Sequence, residues 1–200
     1  MILGVTGGIA TGKSSVTEQF REMGLPIVSA DELAREVVHV GTDTLRMIVE
    51  RFGADVLYAN GSLDRERLAQ IIFSDETARR DLNQITHPAI AKLAESTLAS
   101  LVAAGAKHIV YEAPLLFEVG AESRVDKVLV VSADPEVQIK RLMTRDGIDK
   151  TAAVARIATQ MSLEEKVRRA DYVIDNSGTP DETARKVKDL CQELTIPVGG

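Results

Sequence analysis

The chain has 200 residues, of which 44% are hydrophobic and 27% charged, with a formal net charge of −6. This composition supports a buried core and excludes a disordered, collagenous or disulfide-framed protein, while the negative charge argues against a surface that coats nucleic acid. No apolar stretch approaches the roughly 18 residues of a membrane span, and the single cysteine, Cys191, lies in an apolar helical pattern. We expect a cytosolic monomer or small homo-oligomer that binds neither nucleic acid nor membrane.

The first predicted elements are a strand, a glycine loop and a helix. Residues 2–6 (ILGVT) are β-prone, the glycines follow, and a helical period begins at Lys13 and ends at Gly24. A second buried strand is predicted at 26–30, and Asp31 stands at its carboxyl end, where open parallel sheets bind their ligands.

Residues 31–104 carry helical signals without a strand. Such a stretch is too long for a simple crossover, so it predicts an inserted helical subdomain.

Strands resume at 107–112, 127–131 and 172–174, separated by helical segments, as in a doubly wound parallel sheet. One of these segments, 141–170, carries seven basic and four acidic side chains and is therefore locally positive by three charges. The pattern as a whole predicts an α/β fold with a five-stranded parallel sheet flanked by helices.

The clearest motif is GGIATGKS at residues 7–14, which matches G-x-x-x-x-G-K-[ST] between a predicted strand and a predicted helix. Glycines let the backbone close around phosphate oxygens, and the helix N-terminus adds positive potential. Lys13 is expected to reach the β- and γ-phosphates, and the Ser14 hydroxyl to bind Mg²⁺. The predicted ATP-binding residues of this segment are Gly8, Ala10, Thr11, Gly12, Lys13, Ser14 and Ser15.

Residues 7–14 thus form a phosphate-binding loop, or P-loop. The P-loop does not by itself identify the group that accepts the phosphoryl group, because kinases, GTPase switches and ATPases share it. A GTPase would carry an N-K-x-D motif, which the sequence lacks. A nucleoside or nucleotide kinase would use the same core with a smaller acceptor pocket, and the long helical insertion disfavours it.

A small-molecule kinase needs a group that orients the acceptor hydroxyl and cations that neutralise the transferring phosphoryl. Asp31 can accept a hydrogen bond from the hydroxyl, although it is equally suited to cap a helix. Arg141 and Arg145 are four residues apart and share a helical face, so both can point at the phosphates. Arg156 can add a third cation, and the three arginines would together form a clamp on the phosphates.

Seven segments together resemble the dephospho-CoA kinase family, in that family's order and over nearly the whole chain. They are GGIATGKS, SADELAREVV (29–38), ITHPAI (85–90), EAPLLFE (112–118), KRLMTRDG (140–147), RIATQ (156–160) and ADYVIDNSG (170–178).

The resemblance implies transfer of the ATP γ-phosphoryl group to the 3′-hydroxyl of the ribose of dephospho-CoA, with Mg²⁺ accompanying ATP. It implies that Asp31 is the base and that Arg141 and Arg145 belong to a lid. It further implies that Asn176 lies near the adenine and that Glu112 holds Mg²⁺ through water. The acceptor contacts that it implies are Asp31, His87, Pro114 and Leu115.

The implied architecture has three parts, a P-loop nucleotide-binding core (1–30, 105–140 and 171–200), a dephospho-CoA-binding subdomain (31–104) and a lid (141–170). The sequence departs from the family pattern at Glu112, where aspartate is frequent, and at Ala10 and Thr11, where glycine and serine are usual. The phosphate cradle tolerates the last two if those positions avoid positive φ.

Overall fold

The computed structural model describes residues 1–197, so the end of the predicted core segment 171–200 lies outside the described residues. The chain divides into two compact units. The first comprises Met1–Ser29 together with the chain from Leu101 onward, and the second comprises Ala30–Ser100. No helix among residues 1–197 is long and apolar enough to cross a membrane.

The first unit is built on a five-stranded sheet in the order β2-β3-β1-β4-β5 in which every pairing is parallel. This arrangement confirms the predicted fold class. β1 lies at the centre, and all of its residues after Ile2 are buried, as expected for a parallel sheet covered by helices. The strands are β1 (Ile2–Gly7), β2 (Ile27–Ser29), β3 (Ile109–Glu112), β4 (Lys127–Ser132) and β5 (Tyr172–Asp175).

Except for the first, the helices of the first unit begin at residues whose side chains satisfy free backbone amides. Asp134 caps the helix that starts at Pro135, and Thr179 and Glu182 form a capping box at the last helix. Phe20, Val187 and Cys191 are fully buried against the sheet. The helices are α1 (Lys13–Glu22), α6 (Pro135–Asp146), α7 (Lys150–Ile157), α8 (Leu163–Arg169) and α9 (Pro180–Glu193), with a short 3₁₀ helix at Ala121–Arg124.

The second unit is helical and has its own core, in which Ile48 and Val56 are fully buried. The helix around Pro88 runs unbroken for 28 residues. An isolated antiparallel bridge joins Leu57 to Leu63, a feature that the helical periodicity of this segment does not reveal. The helices are α2 (Ala30–Glu36), α3 (Asp43–Phe52), α4 (Arg65–Ser74) and α5 (Glu76–Ala103), with a 3₁₀ turn at Ala54–Val56.

Candidate active site

The P-loop connects β1 to α1, and its glycines are required by the close approach of other side chains. A Cβ atom at Gly8 would lie 2.7 Å from the amide nitrogen of Gln138, and one at Gly12 would overlap the amide of Asn176. Gly12 also has a φ of 86°, in the left-handed region that glycine adopts readily. Both positions therefore exclude a side chain.

The N-terminus of α1 is uncapped by any side chain, because its N-cap residue is Gly12. The first amides of a helix have no partner within the helix, and they carry the positive end of the helix dipole. The amides of Lys13 and Ser14 are therefore suited to bind an anion, and the exposed Ser14 hydroxyl stands beside them.

Two glutamine side chains hold both polar groups of one P-loop residue. The Ile9 amide donates to Gln160 Oε1 at 2.9 Å, and Gln138 Nε2 donates to the Ile9 carbonyl at 2.6 Å. Gln138 is buried on α6, and Gln160 lies between α7 and α8. The outer side of the loop is therefore braced by elements far away in sequence.

The next part of the loop is braced through the Thr11 carbonyl. The buried Asn176 donates to it from Nδ2 at 2.8 Å and accepts from Thr183 Oγ1 at 2.7 Å. Arg141 Nη1 donates to the same carbonyl at 3.4 Å. Arg141 and Asn176 thus both lie at the P-loop, and the Asn176 side chain is used to hold the backbone of the loop.

Lys13 forms an ion pair with Glu112 at the end of β3. Only 12% of the Lys13 side chain and 13% of that of Glu112 are exposed, so the pair is largely shielded from water. The carboxylate and the Ser14 hydroxyl are hard oxygen donors of the kind that Mg²⁺ prefers, so these two residues fit the predicted metal roles. Among residues 1–197, no cluster of three or more His, Cys, Asp or Glu side chains forms a separate metal site.

The other two arginines of the predicted clamp are joined to one carboxylate. Arg145 donates to Asp146 at 2.7 Å, and Arg156 of α7 pairs with the same side chain. Hydrogen bonds from Arg145, and then from Arg156, lower the pKa of Asp146 below its usual value. The structure therefore places Arg141 at the P-loop and holds Arg145 and Arg156 at Asp146.

The segment that follows β3 is bound from two sides. The Pro114 carbonyl accepts from Thr6 Oγ1 at 3.2 Å and from Lys166 Nζ at 2.7 Å. Lys166 is fully buried and also pairs with Glu118 at 2.8 Å. Leu115, in contrast, is 42% exposed. The Pro114 backbone is thus engaged within the protein, and the Leu115 side chain is open to solvent.

The remaining predicted acceptor contacts belong to the second unit. Asp31 is exposed in the first turn of α2, which begins one residue earlier, so Asp31 is not the cap of this helix. His87 and Pro88 are exposed on α5.

Sequence reasoning missed Gln138, Gln160 and Lys166 as residues that position the site. Gln138 lies on the buried face of α6 together with Leu142. A polar residue at such a position was a signal from which its positioning role could have been inferred. Lys166 and Gln160 gave no such signal, because their partners Pro114 and Ile9 are 52 and 151 residues away.

Comparisons with known proteins agree with this arrangement. A sequence model of the family described as dephospho-CoA kinase matches residues 1–182. The chain is 54% identical to a dephospho-CoA kinase of Syntrophotalea carbinolica, over 100% of this chain and 95% of that protein. It is 48% identical to a dephospho-CoA kinase of Geobacter sulfurreducens, over 94% of this chain and 96% of that protein. The solved dephospho-CoA kinase of Campylobacter jejuni superposes with a TM-score of 0.74 at 32% identity, covering 96% of both chains.

Proposed function

The chain belongs to the dephospho-CoA kinase family, and we propose how its residues carry out the ATP-dependent phosphorylation of dephospho-CoA. The γ-phosphoryl group of ATP would pass to the 3′-hydroxyl of the acceptor ribose, giving coenzyme A and ADP. The observation that carries the proposal is the uncapped N-terminus of α1 beside a braced P-loop, in a chain that matches this family over residues 1–182.

The first step is binding of the triphosphate by the loop. Bound phosphate offers Lys13 a stronger partner than Glu112, so the ammonium group would exchange the carboxylate for the β- and γ-phosphates. The amides of Lys13 and Ser14 would bind phosphate oxygens, supported by Gly8, Ala10, Thr11, Gly12 and Ser15. The adenine would lie near Asn176, contacting backbone groups there because the side chain already holds Thr11.

The exchange leaves Glu112 free to accept a new partner. Ser14 would hold Mg²⁺ directly and Glu112 through water, and the ion would supply positive charge that neutralises the phosphates when bound.

The arginines would act on the charge that develops on the transferring phosphoryl. Arg141 lies at the P-loop, and its distance of 3.4 Å from the Thr11 carbonyl marks a weak bond that is readily replaced by phosphate. Arg145 and Arg156 would leave Asp146 for the more highly charged phosphates when residues 141–170 act as a lid. Closure would exclude water and so suppress ATP hydrolysis.

The acceptor would be bound by the helical segment 31–104, with Pro114 and Leu115 as further contacts. Asp31 would accept a hydrogen bond from the 3′-hydroxyl and take its proton late, and His87 would contact the acceptor. The proposal also locates the reaction in the cytoplasm, where a buried thiol such as Cys191 stays reduced.

The test is an ATP-consumption assay with dephospho-CoA, with nucleoside monophosphates and without acceptor. We expect consumption with dephospho-CoA only. Asp31→Asn is expected to lose about two orders of magnitude in kcat with little change in the KM for ATP, because it removes a group that acts on the acceptor. Lys13→Ala is expected to lower kcat and to raise the KM for ATP.

The control is Lys188→Ala, which removes an exposed lysine of α9 and should leave both parameters unchanged. Consumption of ATP without an acceptor would contradict the kinase reaction. Undiminished turnover by Asp31→Asn would remove that residue from the mechanism while leaving the reaction in place.

A further inference from the structure

A cavity of about 490 Å³ lies within the second unit, outside the P-loop. One wall is the end of α2 and the turn after it, and the other is formed by Ser62, Leu63 and the first residue of α4. This volume is in the range of sites that bind small molecules. The side chains that matter for its chemistry are Arg35, Val38, His39, Val40, Leu63 and Arg65.

The two arginines of this cavity differ from their neighbours in having no protein partner. Nearby Arg67 pairs with Asp55 at 3.8 Å, and Arg51 pairs with Asp81 at 2.6 Å. Within residues 1–197, neither Arg35 nor Arg65 makes an ion pair or a side-chain hydrogen bond. Both guanidinium groups are therefore free to bind an anion, in a chain whose net charge is −6.

The rest of the lining is apolar, apart from the His39 imidazole and a serine hydroxyl. Val38 is 5% exposed and belongs to the core of the second unit, whereas Val40 is 62% exposed and presents its methyl groups to solvent. Among the described residues 1–197, none with a carboxylate side chain lines the cavity. These walls suit a ligand that combines negative charge with an apolar group.

Resting on the proposed function, we propose that this cavity binds the diphosphate and the adjoining dimethyl group of dephospho-CoA. In that molecule the 5′-diphosphate is joined through one methylene to a carbon with two methyl groups. Arg35 and Arg65 bind the diphosphate oxygens, because a guanidinium group matches the geometry of phosphate. Val40 and Leu63 contact the dimethyl carbon, which removes apolar surface of both partners from water.

The spacing along α2 agrees with this assignment. Asp31 and Arg35 are four residues apart, so they share a helical face and are separated by about 6 Å along the axis. In the acceptor, the 3′-oxygen and the first phosphorus are five single bonds apart, a span of about 6 Å. One turn of α2 thus offers a carboxylate to the reacting hydroxyl and a guanidinium group to the diphosphate of the same molecule.

The experiment measures binding of dephospho-CoA to the full chain by calorimetry, for the wild type and for Arg35→Gln and Arg65→Gln. Each substitution removes a charged hydrogen-bond donor, so we expect the Kd for dephospho-CoA to rise about tenfold or more. The KM for ATP should stay unchanged. Val40→Ser should weaken the binding of dephospho-CoA. It should not weaken the binding of an acceptor that has the same 3′-hydroxyl ribose but lacks the pantetheine arm.

The matched control is Arg67→Gln, which removes an arginine of the same helix that lies outside the cavity. It should bind dephospho-CoA as the wild type does. Unchanged affinity in Arg35→Gln and Arg65→Gln would overturn the assignment, and so would an equal rise in the KM for ATP. If the wild type itself failed to phosphorylate dephospho-CoA, the proposed function would be wrong, whichever result the variants gave.

Discussion

Ala10 has a φ of 60°, in the left-handed region that costs an L-amino acid about 1–2 kcal/mol. The sequence suggested that the phosphate cradle tolerates Ala10 and Thr11 if both avoid positive φ, and this condition holds at Thr11 but not at Ala10. The hydrogen bonds of the preceding residue, Ile9, with Gln138 and Gln160 fix the backbone on one side of the strained position. Strain of this kind persists where the surroundings determine the conformation.

We expect His108 to make the stability of the protein depend on pH just below neutrality. Burial, together with the positive charges of the N-terminal ammonium group and of Lys107, lowers the pKa of His108. The unfolded chain, with an ordinary value of about 6.5, therefore takes up a proton at a higher pH than the folded chain does. We expect the free energy of unfolding to fall as the pH drops from about 6.5 towards the folded-state pKa, and His108→Gln to lose this part of the pH dependence.

Urea unfolding at pH 7.5 and at pH values from 6.5 down to 5 measures the effect. Lys107→Gln keeps the imidazole but removes one cause of the shift, so it should flatten the slope in part. If the free energy of unfolding fell by the same amount in the wild type and in His108→Gln over this pH range, His108 would not contribute to the pH dependence.

Among the elements, α8 is attached to the segment after β3 in part by the buried ammonium group of Lys166. Lys166 binds the Pro114 carbonyl and Glu118, and Arg169 of the same helix pairs with Glu122 at 2.5 Å. Removing one partner of a buried pair leaves the other charge without compensation. Because Glu118 is 20% exposed, we expect Lys166→Met to lower the free energy of unfolding by about 2–4 kcal/mol, measured by urea denaturation.

Two further variants separate charge from packing. Lys188→Met on the exposed face of α9 should change stability by less than about 0.5 kcal/mol. The double variant Lys166→Met, Glu118→Met should recover part of the loss, because it removes the unpaired carboxylate as well. If Lys166→Met alone unfolded like the wild type, the buried pair would not stabilise the attachment of α8.

The elements were predictable where their signals are local. The five strands follow from short apolar runs, and the capping box at Thr179 and Glu182 is fixed by residues three apart. The P-loop was equally visible, since its glycines, Lys13 and Ser14 lie within eight residues. The contacts of Gln160 and Lys166 were not predictable, because they depend on how distant elements pack and no local period encodes them.

At the scale of the whole molecule, the groups that we propose to bind anions are divided between the two units. The first unit carries the P-loop and Arg141, and the second carries the free Arg35 and Arg65. Each unit contains a hydrophobic cluster of its own residues. A ligand stabilises the parts of a protein that it binds, so the two substrates are expected to protect different segments of the chain.

Hydrogen exchange on the full chain tests this expectation. ATP with magnesium should slow exchange at residues 8–16, and dephospho-CoA alone should slow it at 31–40 and 57–66. At a ligand concentration of 100 times Kd the stabilisation is about 2.7 kcal/mol, which corresponds to roughly hundredfold slower exchange of amides that open within that unit. At the same ligand concentration, the roughly tenfold higher Kd expected for Arg35→Gln should reduce the protection by dephospho-CoA about tenfold, while the protection by ATP should stay unchanged. Protection by dephospho-CoA confined to the first unit would contradict the division, because the acceptor would then bind without the helical segment that carries Asp31.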